Sequence, residues 1–140
     1  MRLIIRSVVL AATALAAALA IAASAQAADG RVYAYEHAGF QGRFCSWVGN
    51  DTDWRTCSPG GNLRNQASTL WNNGYAGGND DVNFYWGLSY TGAWDCLRVG
   101  TWWSNLQYQR FIYGAGRSGY NQVTNDNISS HKWVSYCGQA

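Results

Sequence analysis

The side chains with chemistry to offer fall into a few groups. Arg64-Asn65-Gln66-Ala67-Ser68-Thr69 and Asn125-Asp126-Asn127-Ile128-Ser129-Ser130 each gather amide and hydroxyl groups, the second with a carboxylate as well. Such side chains can simply bond their own backbone and hold a turn. None of the four cysteines, Cys45, Cys57, Cys96 and Cys137, is spaced C-x-x-C, and His37 and His131 lie far apart, which argues against structural zinc. Glu36 beside His37, and Asp51 near Asp53, stand in turn-forming sequence where solvated charge is ordinary. There is no G-x-S-x-G, no H-E-x-x-H and no phosphate-cradling glycine loop before a helix. No catalytic residue is nominated, and the chain reads as a non-enzyme. Two apolar runs could meet a partner, Trp102-Trp103 and Arg110-Phe111-Ile112-Tyr113.

The elements that must position these groups come as a repeat. Tyr-x4-aromatic-x-Gly occurs as Tyr35, Phe40, Gly42 and again as Tyr85, Tyr90, Gly92. Each copy is followed later by a hydroxyl pair and a tryptophan: Ser68, Thr69, Trp71 in the first, Ser129, Ser130, Trp133 in the second. A repeat of this size implies two copies of one supersecondary unit, neither able to bury its apolar face alone. Strands are expected over 31–36, 42–48, 67–72, 82–86, 92–99 and 128–136, with loops over 49–62 and 107–123 and a Gly/Asn-rich linker over 73–81. No helical period is convincing beyond residue 27. The expected fold is all-β, two similar four-stranded halves packed as a sandwich, with repeat one over 31–73 and repeat two over 82–136.

Residues 1–27 read as a secretory signal peptide: Arg2 and Arg6, an uncharged Ala-rich stretch, then Ala25-Gln26-Ala27 as a small-x-small cleavage site. Removing them from the 140 residues leaves 113, one domain over 28–140. The mature chain carries eight basic and eight acidic residues, so the +2 belongs to the precursor. A neutral domain offers no electrostatic case for nucleic acid or an anionic membrane. All eight Trp, nine Tyr and four Phe lie in the mature part, more rings than a core needs, so some should be exposed. An even set of cysteines in an exported chain predicts two disulfides. Of three connectivities, local closure favours Cys45–Cys57 and Cys96–Cys137. A secreted monomer is expected.

The spaced aromatics and glycine, with Asn125-Asp126-Asn127-Ile128-Ser129-Ser130 complete and Arg64-Asn65-Gln66-Ala67-Ser68-Thr69 degraded by its leading cation, resemble the βγ-crystallin Greek-key signature. More closely, a signal peptide followed by YEHAGFQGRF, ASTLWNN and NDNISSHKW resembles the secreted actinobacterial peptidase inhibitor family of the Streptomyces metalloproteinase inhibitor. The first resemblance implies calcium, bound where one repeat's polar arch faces the other's hairpin turn. One site would use Glu36, Asp126, the Asn127 carbonyl and Ser129, with the turn near Ala38. A weaker one would use Asn65, Gln66 and Ser68 near Trp86. Calcium takes six to eight oxygens, so Arg64 weakens that second set. The other resemblance implies a secreted protease as partner, a metalloprotease by the family's founding member, met through a rigid loop. Loops 49–62 and 107–123 qualify by length, and Arg110-Phe111-Ile112-Tyr113 would suit an enzyme preferring a large apolar residue after the cut. A third reading is cell-wall glycan binding through Trp102 and Trp103, of which at most one faces the core if they lie in a strand.

Overall fold

Alternation sets the strands. In the structure, a computed structural model that describes residues 26–140, Val32 and Ala34 are fully buried while Tyr33 and Tyr35 between them face outward. The expected signal peptide lies, but for Gln26 and Ala27, outside the described residues. Seven strands form: β1 (Arg31–His37), β2 (Gln41–Trp47), β3 (Thr69–Asn73), β4 (Asp81–Tyr85), β5 (Trp94–Leu97), β6 (Trp102–Trp103) and β7 (Ser130–Val134). All pairs are antiparallel. One sheet has the order β2-β1-β3-β6, the other β5-β4-β7. Among the described residues no helix is long and apolar enough to cross a membrane.

The fold is the all-β sandwich expected, but its sheets are four- and three-stranded and do not coincide with the repeats. Repeat two sends β6 across to pair with β3, Leu70 opposite Trp103 and Trp71 opposite Trp102. Repeat one returns a backbone bridge, Asp51 to His131 on β7, with N–H···O distances of 3.1 and 2.9 Å. Each repeat thus completes the other's sheet, the Greek-key solution to an edge that neither can cover alone.

The core between the sheets is built from Val32, Leu70, Phe84, Leu97, Leu106, Phe111 and Ile128 around fully buried Trp54. The Trp54 indole donates to His131 Nδ1 at 2.9 Å, and His131 Nε2 lies 2.9 Å from the Gly49 carbonyl. With Nδ1 accepting, the proton sits on Nε2 and the ring is neutral. Trp47 stacks on Trp54 at 4.7 Å between centroids and lies 4.9 Å from the imidazole. Two disulfides close, Cys45–Cys57 within repeat one and Cys96–Cys137 within repeat two.

The sheets differ in their outer faces. Every residue of β4 and β5 is buried, because the excursion after β6 and the C-terminal tail fold over them. Tyr113 stacks on Trp94 at 5.9 Å, the Arg117 guanidinium lies 5.2 Å from that indole, and the Gln139 carbonyl accepts from Asn83. The four-stranded sheet has no such cover among the described residues, and Phe44 and Trp102 are exposed on it.

Two buried titrating groups oppose each other. Burial depresses His131 from 6.5 to about 4, so between those values the unfolded chain binds the extra proton and stability falls on acidification. Burial raises Asp95 from 3.8 to about 7, so there the folded chain binds the extra proton and stability falls as pH rises. The two slopes oppose each other across the shared window from about pH 4 to 6.5, and Asp126, also raised by burial, adds to the Asp95 side. Acidification should therefore cost the native protein less stability than His131 alone would. Asp95→Asn removes one slope. Its urea-unfolding free energy should fall with acidification by up to about 1.4 kcal/mol per pH unit. A flat profile in that variant would contradict a neutral, buried His131.

Candidate functional site

The two polar arches meet at the pseudo-two-fold between the repeats. Asn65 N–H donates to the Ile128 carbonyl at 2.9 Å, and Asp126 N–H to the Ala67 carbonyl at 3.0 Å. Asn65 and Asp126 share a left-handed backbone, φ 56° and 57°, which Asn and Asp tolerate better than most residues. Each arch then locks its own hairpin. Ser68 N–H donates to the Tyr35 carbonyl and Ser129 N–H to the Tyr85 carbonyl, at 2.8 and 2.9 Å. Thr69 Oγ1 lies 3.0 Å from the His37 carbonyl and 2.9 Å from the Ser104 carbonyl, with one proton to give between them, and Ser130 Oγ donates to the Gly87 carbonyl at 2.6 Å. Those same hydroxyls accept from the N–H of Phe40 and Tyr90. In both hairpins the fold-back needs positive φ at the aromatic and again at Gly42 or Gly92. A Cβ on Gly92 would also sit 2.9 Å from the Ser118 carbonyl oxygen.

The expected calcium ligands are regrouped by this geometry. Glu36, His37, Asn65, Gln66, Ser68 and Asp126 line one shallow cleft of about 350 Å³. Glu36 and Asp126 therefore meet as expected, but Ser129 is not among the lining residues. Ser129 Oγ lies 3.3 Å from Asn65 Oδ1 and accepts from Arg64 Nε at 3.2 Å. Asn127 turns its amide onto the carbonyls of Val123 and Asn125. Gln66 and Ser68, expected near Trp86, stand instead beside Glu36. Trp86 bonds Gln122 through its indole at 3.0 Å. The physical reason is that each arch's serine stays with its own hairpin while only Asn65 or Asp126 reaches across.

A guanidinium already occupies the first cluster. Arg43 donates to both Glu36 oxygens, at 2.6 and 3.0 Å, to Gln66 Oε1 at 2.8 Å and to the Gly60 carbonyl at 3.2 Å. It holds the Glu36 carboxyl down to about 2. Asp126 is the one carboxylate of the cleft without a cationic partner, and burial raises its pKa despite His37. With one free carboxylate and a fixed cation among the donors, the residues do not fit calcium. Arg64, from the first arch, reaches Ser129 of the second through its Nε at 3.2 Å. The grouping of Asp81 with Cys96 and Cys137 likewise offers no thiolate, since both sulfurs are bonded to each other.

Of the two candidate loops, one is built to present its crest. Residues 55–62 leave fully buried Trp54 and return to fully buried Leu63. Arg55, Thr56, Ser58 and Pro59 are exposed between these anchors. Cys45–Cys57 staples the crest to β2, Ser46 N–H donates to the Ser58 carbonyl at 3.1 Å, and Cys57 and Gly61 exchange backbone bonds at 2.6 and 2.8 Å. Arg55 is drawn back onto Asp53 at 2.6 Å. The Arg43 bond to Gly60 ties the far side.

The other loop does not protrude where expected. Phe111 is fully buried, its N–H donates to the Gln122 carbonyl at 3.1 Å, and Tyr113 exchanges backbone bonds with Trp94 at 3.0 and 3.2 Å. Arg110 is bridged to Val123, leaving Ile112 as the apolar side chain of the run that faces solvent. Arg110-Phe111-Ile112-Tyr113 is one arm of a hairpin laid over the second sheet, so its backbone is committed. Trp103 packs on the core and Trp102 faces out, the alternation that a strand requires.

Comparison with known proteins places this geometry. The four- and three-stranded sandwich is similar to a solved structure described under the evolution of the eye-lens βγ-crystallin domain fold, at 22% identity and TM-score 0.54, covering 76% of this chain and 87% of that one. It is similar to a βγ-crystallin from an archaeon at 19% identity and TM-score 0.51, covering 74% and 96%. A βγ-crystallin from Ciona intestinalis matches at 14% identity and TM-score 0.51, covering 74% and 99%. At these identities the likeness shows the βγ-crystallin fold. None of the curated proteins matches the chain in sequence. The sequence model of peptidase inhibitor family I36 matches residues 20–97, a span that includes the first hairpin, the stapled loop and the first arch. More than half the chain is covered, and the chain belongs to peptidase inhibitor family I36.

Proposed function

We propose that the protein is a secreted inhibitor of a metallopeptidase, and that it presents the crest 55–62 of the stapled loop to the enzyme's cleft. The observation that carries the reading is the loop's construction: an exposed crest between two fully buried anchors, held by a disulfide, backbone pairing and the Arg43 guanidinium. A peptide entering a protease cleft loses conformational freedom, and a loop already fixed has less to lose. The same rigidity keeps a cleaved bond's ends together, so that a nick is resealed or released slowly. The metallopeptidase class comes from the resemblance to the Streptomyces inhibitor, and the family supplies the inhibitor role.

The test is a titration of the disulfide-intact secreted protein against thermolysin, following residual peptidase activity. Stoichiometric loss is expected, with any slow nick mapping within residues 55–62. Cys57→Ser, paired with Cys45→Ser, should weaken inhibition while the protein remains folded by circular dichroism. Full thermolysin activity at large molar excess, with trypsin inhibited instead, would keep the inhibitor and discard the metallopeptidase.

Calcium has less support as a second reading, because Arg43 holds the carboxylate that the ion would need. Millimolar calcium should therefore leave the melting temperature of the native protein where chelator leaves it. Arg43→Gln combined with Arg64→Asn frees both clusters, and in that variant calcium should raise the melting temperature by the amount its affinity dictates. A calcium-dependent rise in the native protein would show that the guanidinium yields to the ion.

A further inference from the structure

We propose that the uncovered face of the four-stranded sheet is a binding site for a neutral polysaccharide, with Trp102 and Trp71 as its stacking platform. The face is the counterpart of one the protein covers itself. By the repeat, Tyr35 and Phe40 correspond to Tyr85 and Tyr90. In the second half these rings adjoin Trp94, which Tyr113 and Arg117 cap with flat groups. In the first half no segment among the described residues plays that part, and Phe40, Phe44 and Trp102 stay exposed. One rung of the sheet carries Tyr33, Trp71 and Trp102 side by side, and the next carries Phe44 and Tyr35. Tyr33 and Trp71 lie nearly parallel at 5.2 Å between centroids, and Tyr35 packs on Phe40 and Phe44 at 5.5 and 5.6 Å. Trp102, 58% exposed, closes one side of a cleft whose other walls include Tyr35, Phe40 and Trp71. Its Gln26 wall belongs to the expected leader, so the cleft is wider once that is removed.

The lining selects the ligand's chemistry. It contains no charged side chain and no aliphatic one larger than alanine, so neither an ionic partner nor an aliphatic anchor is favoured. Its polar tips are donors in search of acceptors. The indoles of Trp71 and Trp102 and the Tyr35 hydroxyl have no partner among the described residues. The indoles of Trp94 and Trp103 lack one too, but Trp94 is buried under Tyr113 and Trp103 packs on the core, so the donors at this face are the ones a ligand can reach. Flat rings able to stack, unbonded donors at their edges and no charge together match a pyranose, whose C–H face stacks on an aromatic ring while its ring and hydroxyl oxygens accept hydrogen bonds. The sheet beneath is rigid, so binding would order little. The site is independent of the stapled loop.

The secreted protein, expressed from the full chain, is incubated with insoluble cellulose and chitin, and retention is compared with that of Trp102→Ala and Tyr136→Ala. Both replaced rings are exposed, so folding is checked only by matching melting temperatures. The native protein and Tyr136→Ala should be retained by at least one of the two polymers, and Trp102→Ala should lose that retention. A soluble oligosaccharide of the retaining polymer should quench native tryptophan fluorescence and leave Trp102→Ala unmoved. Absence of retention on both polymers overturns the proposal, as does retention that survives Trp102→Ala. Trp102-dependent dimerisation without polysaccharide retention would assign the face to a second copy of the chain and overturn it equally.

Discussion

The hydrogen bond from Trp54 to His131 is the point at which the two repeats become one domain. Trp54 belongs to the loop of repeat one and His131 to the last strand of repeat two, yet both are fully buried in contact. The backbones of Asp51 and His131 pair beside them, and the imidazole's other nitrogen reaches Gly49. A ring with both nitrogens satisfied can stay neutral without water, and an indole N–H buried at the centre would otherwise lose a hydrogen bond. The interaction also fixes where the stapled loop begins, since Trp54 is both core residue and loop anchor. The crest is therefore anchored in the core at Trp54 and held above it by the disulfide, the backbone pairing and Arg43.

Around this centre the pseudo-symmetry is followed closely in backbone and departed from in charge. The arches repeat bond for bond, from the left-handed Asn65 and Asp126 to the hydroxyls of Thr69 and Ser130 that lock the hairpins. At the axis Arg43 takes up the Glu36 carboxylate and Arg64 meets the Ser129 hydroxyl, while Asp126 keeps no cationic partner. A guanidinium differs from an ion in having direction: its donors are fixed in a plane and can join several acceptors at once. Arg43 uses this to join the hairpin's Glu36, the arch's Gln66 and the loop's Gly60. The cluster thereby becomes part of the loop's support, and it no longer depends on what the medium contains.

What the sequence made legible was whatever is local. Tyr35, Phe40 and Gly42, with their second copy, announce the hairpins because positive φ at a fixed spacing restricts residue choice. The strand alternation, the pair of disulfides and the opposite facing of Trp102 and Trp103 follow from equally short-range rules, though not which of the two faces out. The exchange between sheets was hidden because its carriers are a two-residue strand and one bridge, too short to leave a pattern. The ligand grouping was misassigned for a related reason: Ser129 and Asp126 are three residues apart but point to opposite sides of the axis. Arg43 was missed since a charge beside a hairpin glycine reads as solvated, and only the fold shows it meeting Glu36. The run Arg110–Tyr113 could be read either as a buried strand or as a protruding apolar loop, because nothing local reveals whether Phe111 has a core to enter.

Charge decides how such a molecule can find its partners. With eight basic and eight acidic residues beyond the expected leader, the domain exerts no strong field and gains little from steering. Association then proceeds at the ordinary rate set by orientation, and differences in affinity must lie in dissociation. Slow dissociation needs surfaces that stay as they are after the partner arrives. The structure offers two: a crest clamped between Trp54 and Leu63, and a sheet face whose rings are held by β-pairing. Both take their stiffness from the same buried centre. A change there, far from either surface, would loosen both at once, whereas a change at one surface would leave the other intact.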